Sequence, residues 1–333
     1  MMRFGLGAVS TLAAGLLLAT PVLAQGAGAG KAAEAPPAVA AAPSMATLAA
    51  SKLAEIGRRD KAHADDLAAL QAHYAANPDK TLWIENGALS PRARQAIEEI
   101  RKADDWGLAA AAFQLPASPG DGAEAEAMLS LAILKYARHA RGGRMDPTQL
   151  TDAIDRAANL VSPAKVLADI AAAPATDAYL RGLHPQHPQF ERLRQLYLAL
   201  RAGKIEQPAP PQPIAEEQQE TTRKGRKRKQ KVAAPIAPPQ LTVDRVLFNM
   251  EQWRWMPDDL GRLHVAVNIP EFQMRVMKDG KPIHTERVVT GTVANQTPIF
   301  SMDMKTVVFQ PGWGVPPSIK VKELLPGLLA GRD

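Results

Sequence analysis

Apolar positions recur every three to four residues over much of the first two thirds of the chain, then switch to strict alternation near the C-terminal end. That switch predicts a helical region followed by a β-rich one. Ser90-Pro91 opens one helix, with the serine as N-cap and the proline at the first helical position, and Ala93, Ile97 and Ile100 follow at helical spacing. The stretch holding Met128, Leu131, Ala132, Leu134 and Tyr136 is apolar almost all round, as in a helix buried at the centre of a domain. Asp146-Pro147 reads as the start of another helix. His187-Pro188 starts a further one that turns Leu193, Leu196, Tyr197 and Leu200 inward, with Gly203 placed for a left-handed cap. Leu247 to Trp255 fits a short helix. Beyond it, Val265, Val267 and Ile269 alternate with their neighbours, and so do Phe272, Met274 and Val276. Asp279-Gly280 suits a two-residue hairpin turn, leading into strands over Ile283–Val289 and Ile299–Phe309. The fold class expected is α+β: a helical domain over about 46–203, then a β-rich part over 241–333.

Two segments between these regions have no such period. Residues 25–45 are mostly Ala, Gly and Pro and read as a tether. Residues 204–240 carry Pro208, Pro210, Pro211, Pro213, Pro235, Pro238 and Pro239. Among them runs Arg223 to Lys231, seven basic residues in nine, whose mutual repulsion keeps a linker extended. Much of the net charge of +6 sits there, so the basic balance does not describe a folded face. The run is a solvated linker or an attractor for anionic polymer. Before all of this, Met1-Met2-Arg3, an apolar stretch from Phe4 to Leu18 and Pro21-Val22-Leu23-Ala24 read as a signal peptide, cleaved after Ala24. Export out of the cytoplasm argues against a nucleic-acid role for the basic run, and no membrane association is expected once the signal is removed.

Candidate chemistry is sparse. With no cysteine in 333 residues, thiolate nucleophiles, disulfides and Cys-ligated zinc are excluded from these residues. The histidines (His63, His73, His139, His184, His187, His264 and His284) form no metal-ligand spacing, so no metal and no cofactor is expected. The adjacent carboxylates Asp65-Asp66, Glu98-Glu99, Asp104-Asp105 and Asp258-Asp259 point apart on a helix and make no acid/base pair. Trp253 and Trp255 fit core packing better than sugar stacking. Trp313 and Pro316 lie on the Pro/Gly loop Pro311–Ser318 and are the candidate substrate-binding residues, with core packing equally open for Trp313.

Four blocks in the β-rich part, taken in order, resemble the catalytic region of the long periplasmic L,D-transpeptidases, which carry a YkuD-type domain. They are Asn249-Met250-Glu251-Gln252-Trp253-Arg254-Trp255-Met256-Pro257; Val267-Asn268-Ile269-Pro270 with Phe272; Val288-Val289-Thr290-Gly291 with Gln296-Thr297-Pro298-Ile299-Phe300-Ser301; and Val308 to Ile319. Leu82-Trp83-Ile84-Glu85-Asn86-Gly87, Leu89 to Ala93 and Leu183-His184-Pro185-Gln186-His187-Pro188-Gln189 resemble the scaffold domain of the same family. The resemblance implies cross-linking of peptidoglycan stem peptides. In that chemistry a cysteine thiolate in a Ser-His-Gly-Cys type of motif attacks a stem-peptide carbonyl and expels D-alanine, and a second stem's amine resolves the acyl-enzyme. This chain lacks that motif, so no catalytic residue is carried over. The reading expected is a transpeptidase cut short before its catalytic end. The alternatives are a non-catalytic envelope protein that binds peptidoglycan and a scaffold that docks a separate transpeptidase. Oligomeric state is not legible.

Overall fold

The computed structural model describes residues 42–117, 120–205, 241–312, 314–315 and 317–331. The expected signal peptide, most of the expected tether and the basic run therefore lie outside the described residues. The compact unit that begins at Pro43 is α+β, helical first and with a small sheet after.

Its helical body is built around α4 (Gly122–Gly142), buried on nearly every side through Leu129, Leu131, Ile133, Leu134, Tyr136 and Ala137. Against it pack α1 (Met45–Arg59), α2 (Ala64–Ala76), α3 (Pro91–Arg101) and α5 (Pro163–Ala172). Helix α1 turns one stripe inward, Ala46, Ala49, Leu53 and Ile56, at the three-to-four-residue spacing a core-facing helix requires. Truncating the fully buried Leu53 to alanine would remove about 2–5 kcal/mol. Ser90 caps α3 as expected, accepting from the Ala93 amide at 3.1 Å. Helix α2 and helix α7 (Pro188–Arg201) are capped less predictably, by histidines. His63 Nδ1 accepts from the Asp65 amide at 3.3 Å and His187 Nδ1 from the Gln189 amide at 3.1 Å. Gly203 closes α7 with φ +64°, as its position implied. Between them lies the short α6 (Thr176–Gly182), packed on α3.

The stretch Leu82–Gly87 has a structural explanation. The two-residue strands β1 (Ile84–Glu85) and β2 (Ala88–Leu89) pair across Asn86-Gly87, both at positive φ. The loop leading in is held by the buried Glu126 carboxylate of α4, which accepts from the Leu82, Trp83 and Ile84 amides at 2.6–3.0 Å and from Tyr74 Oη at 2.9 Å. Trp83 Nε1 donates to Ser130 Oγ at 2.8 Å. Those donors satisfy a carboxylate that burial would otherwise penalise heavily.

Asp146-Pro147 departs from expectation. It opens only the 3-10 turn Pro147–Gln149, with Asp146 Oδ1 accepting from the Thr148 amide at 3.0 Å. The chain then runs into β3 (Ile154–Asp155), because Leu150–Ala153 supplies no apolar stripe to continue a helix.

Beyond residue 240, α8 (Val243–Arg254) docks on α7. Val246 and Met250 join Phe190, Tyr197 and Leu200 in a second small core. Three strands follow, β4 (Leu263–Asn268), β5 (Gln273–Lys278) and β6 (Lys281–Arg287), antiparallel in that order, with Val265 opposite Val276 and Val267 opposite Met274. The Asp279-Gly280 hairpin forms as its sequence predicts, with φ +49° and +74°. The strand expected over Ile299–Phe309 shrinks to β7 (Ile299–Phe300). It pairs in parallel with β3, and Ser301 to Phe309 carries on without regular structure because no strand among the described residues lies beside it. Short helical turns over Pro317–Leu329 end the described chain.

Candidate functional site

Two of the family-like blocks, Asn249–Pro257 and the one ending Gln296–Ser301, meet the helical body and its Leu183–Gln189 stretch at a seam. Block 249–257 supplies the centre. Arg254 is buried, pairs with Glu251 at 3.4 Å, donates to the Trp106 carbonyl at 2.6 Å and lies 5.1 Å over the Phe190 ring. Burial pulls its guanidinium down to about 10 against the pull of Glu251, which leaves it charged at neutral pH. Glu251 also accepts from the Arg144 amide. That approach explains Gly143, which sits at φ +85°, where a Cβ would stand 2.5 Å from Glu251 Oε1 and 2.9 Å from Trp255 Nε1. Trp255 is buried and serves the core, the role its sequence favoured.

The His184–Pro188 block meets the same seam. His184 is fully buried, stacked on Trp106 at 4.2 Å and 2.8 Å from Tyr136 Oη. Burial holds it well below the usual imidazole range, with Arg254 and Arg194 adding to the effect, so it is neutral. His187 stacks on Trp253 at 4.4 Å, and the two line a shallow depression with Gln186, Met256 and the Arg141–Asp258 pair, whose Nη1–Oδ1 distance is 2.9 Å.

A second junction lies at Arg156, in the loop that carries β3. Its Nη1 reaches Met256 Sδ at 2.8 Å, while Nη2 donates to Ser301 Oγ at 2.7 Å and to the Phe300 carbonyl at 3.2 Å. Next to it the Ile299 amide donates to the Ala153 carbonyl at 2.7 Å. Within the Thr290–Ser301 block, Thr297 Oγ1 accepts from the Gly291 amide at 2.7 Å. A Cβ on Gly291 would collide with the Asn295 carbonyl, so this turn demands glycine.

The two candidate substrate-binding residues, Trp313 and Pro316, lie outside the described residues; their neighbour Gly312 is exposed. His264 Nδ1 sits 3.0 Å from the Gly261 carbonyl, and His284 is exposed on β6 opposite Val276. Among the described residues, neither is hydrogen-bonded to a nucleophilic side chain. Among the described residues no group of three His, Cys, Asp or Glu side chains is placed to hold a metal ion, and no helix is long and apolar enough to cross a membrane. The sequence reading missed Arg156 and the pairing of Arg254 with Trp106. The basic residue at the third position after Glu251 was the available signal for a buried ion pair on one helix face. Nothing local pointed to Arg156, whose partners lie 100 to 145 residues away.

A helical scaffold holding a β-rich segment by a buried ionic seam is the class of protein that this fold and site define. Comparison with known proteins finds two family models that each match a part of the chain. Residues 68–196 match the scaffold domain family and residues 262–333 match the L,D-transpeptidase catalytic domain (YkuD) family. A Haemophilus influenzae protein named as an L,D-transpeptidase is 30% identical over 86 residues, a stretch covering 26% of this chain and 17% of that protein. The two matches stand in the order scaffold, then catalytic domain, and together with that relative they fit the L,D-transpeptidase family.

Proposed function

We propose that the protein works in the periplasm on peptidoglycan, as part of an L,D-transpeptidase that cross-links stem peptides. The match of residues 262–333 to the catalytic-domain family carries this reading. On this reading residues 1–24 are the signal peptide, 25–45 the tether, 46–203 the scaffold domain, 204–240 the linker and 241–333 the N-terminal part of the catalytic domain, with Trp313 and Pro316 walling the stem-peptide cleft. The reaction forms a thioester between a cysteine thiolate and the stem carbonyl as the bond to D-alanine breaks. The amine of a second stem then displaces the thiolate, and a histidine carries the proton. With no cysteine in the 333 residues, the thiol has to be supplied from outside them.

The test uses the native protein purified from the cell envelope. Its intact mass is measured, and it is incubated with disaccharide-tetrapeptide under mass-spectrometric detection. Cross-linked dimers, abolished by iodoacetamide, support the reading. A cysteine-free mass together with the absence of dimers removes it. The cysteine count also favours a second reading, a non-catalytic protein that holds peptidoglycan through the Arg223–Lys231 run. That reading requires sedimentation with purified sacculi at low salt and release at high salt.

A further inference from the structure

The segment from Val288 to Phe309 has little packing of its own. Val289 and Val293 are almost wholly exposed, as are Met302 and Phe309. Its tie to the helical body is concentrated in one place, the parallel pair Ile154↔Ile299 and Asp155↔Phe300. A two-residue parallel ladder is weak by itself, since strand pairing gains stability from length and from a packed face. What reinforces it is a single guanidinium. Arg156 follows β3 directly and spends both terminal nitrogens on three acceptors, two beyond Ile299 (the Phe300 carbonyl and Ser301 Oγ) and one just beyond α8 (Met256 Sδ). Only a planar fork reaches acceptors in such different directions, and hydrogen bonds to a charged donor are the stronger kind. The same side chain therefore touches the end of the Asn249–Pro257 block and the end of the Gln296–Ser301 block, two family-like stretches with no other link of this kind among the described residues.

We infer that Arg156 is a positioning residue: with β3 it forms a clasp by which the scaffold fixes the segment around Ile299 and sets it in register with the segment leaving α8. The clasp needs no substrate, so it stands or falls separately from the transpeptidase reading. It also assigns the loop between α4 and α5 a task, that of adding a strand to the segment that comes after the linker.

Hydrogen exchange on the full chain tests it, read at the Ile299 amide and at the helical core. Arg156→Ala is expected to lower protection at Ile299 by about tenfold or more while leaving α1 and α4 unchanged. The double variant Met256→Leu with Ser301→Ala removes two of the acceptors and leaves the arginine and the backbone intact. It is expected to give a smaller loss at the same amide and none in the core. Wild-type protection at Ile299 in both variants would overturn the proposal. So would a loss shared equally by Ile299 and the core, because the residue would then be a general stabiliser and not a clasp.

Discussion

His139 shows how one side chain can set the pH dependence of the helical body. It lies on the last turns of α4, in ring contact with Phe113, and Nδ1 has no hydrogen-bond partner among the described residues. Burial pushes its imidazole down to about 4, and Lys135, Arg138, Arg144 and Arg254 push the same way. In the unfolded chain the ring protonates near its ordinary value of about 6.5. The unfolded state therefore binds a proton first as pH falls, so the neutral ring's contribution is complete above about 6.5 and drains away between there and about 4. His184 titrates in the same direction. Because the His139 ring is only partly shielded, its share is on the order of 2 kcal/mol. His139→Gln should lose less stability than wild type between pH 7 and pH 5 in urea titrations; an identical loss would remove His139 from the account. Part of this was readable: the sequence marked α4 as buried all round, which puts any histidine on it in a poor place to ionise. The capping roles of His63 and His187 were not, since a histidine N-cap resembles any other histidine before a helix until backbone geometry brings Nδ1 to the amide two residues on.

At the scale of elements, legibility followed locality. Helix α3 was readable from Ser90-Pro91, α7 from His187-Pro188 and the β5–β6 hairpin from Asp279-Gly280, because each is set by residues within a turn of one another. The β3–β7 pair was not, because its register joins Ile154 to Ile299 and no local period encodes that. The strand expected over Ile299–Phe309 failed for the same reason: alternation marks a segment able to pair but does not supply the neighbour. Helix α8 lies between these cases. Its existence was legible, but its docking on α7 comes from the match of Val246 and Met250 to Phe190 and Tyr197. Met250 is fully buried, whereas Phe248 on the outer face is half exposed. Met250→Ala should cost about 2–4 kcal/mol in urea unfolding, and Phe248→Ser within about 0.5 kcal/mol of zero. Equal costs for the two would mean that α8 does not pack by this face.

Across the molecule, burial is very uneven. The helical body owns one continuous core running from Ala46 to Leu183, and α7 with α8 owns a second. The sheet has nothing comparable. No residue of β4, β5 or β6 is buried, and Leu263, Val265 and Val267 on one face of β4 remain 65%, 41% and 52% exposed. Alternation in the sequence gave this sheet an inward face, yet among the described residues little lies against it. Apolar burial is the main favourable term in folding, at roughly 25 cal/mol per Å², so the two parts should differ widely in stability. The sheet's ladder hydrogen bonds alone contribute little net free energy, because water replaces them when strands part. Native-state hydrogen exchange should therefore divide the chain. Amides of β4 to β6 are expected to open by local unfolding, with protection about a hundredfold or more below that of α4, which should exchange only through global unfolding. Low urea should unfold the sheet while the helical signal persists, and two transitions rather than one should appear by circular dichroism and by exchange. A single cooperative transition with equal protection in β5 and α4 would show that the sheet shares the helical core's stability, and that the seam at Arg254 and the clasp at Arg156 transmit it.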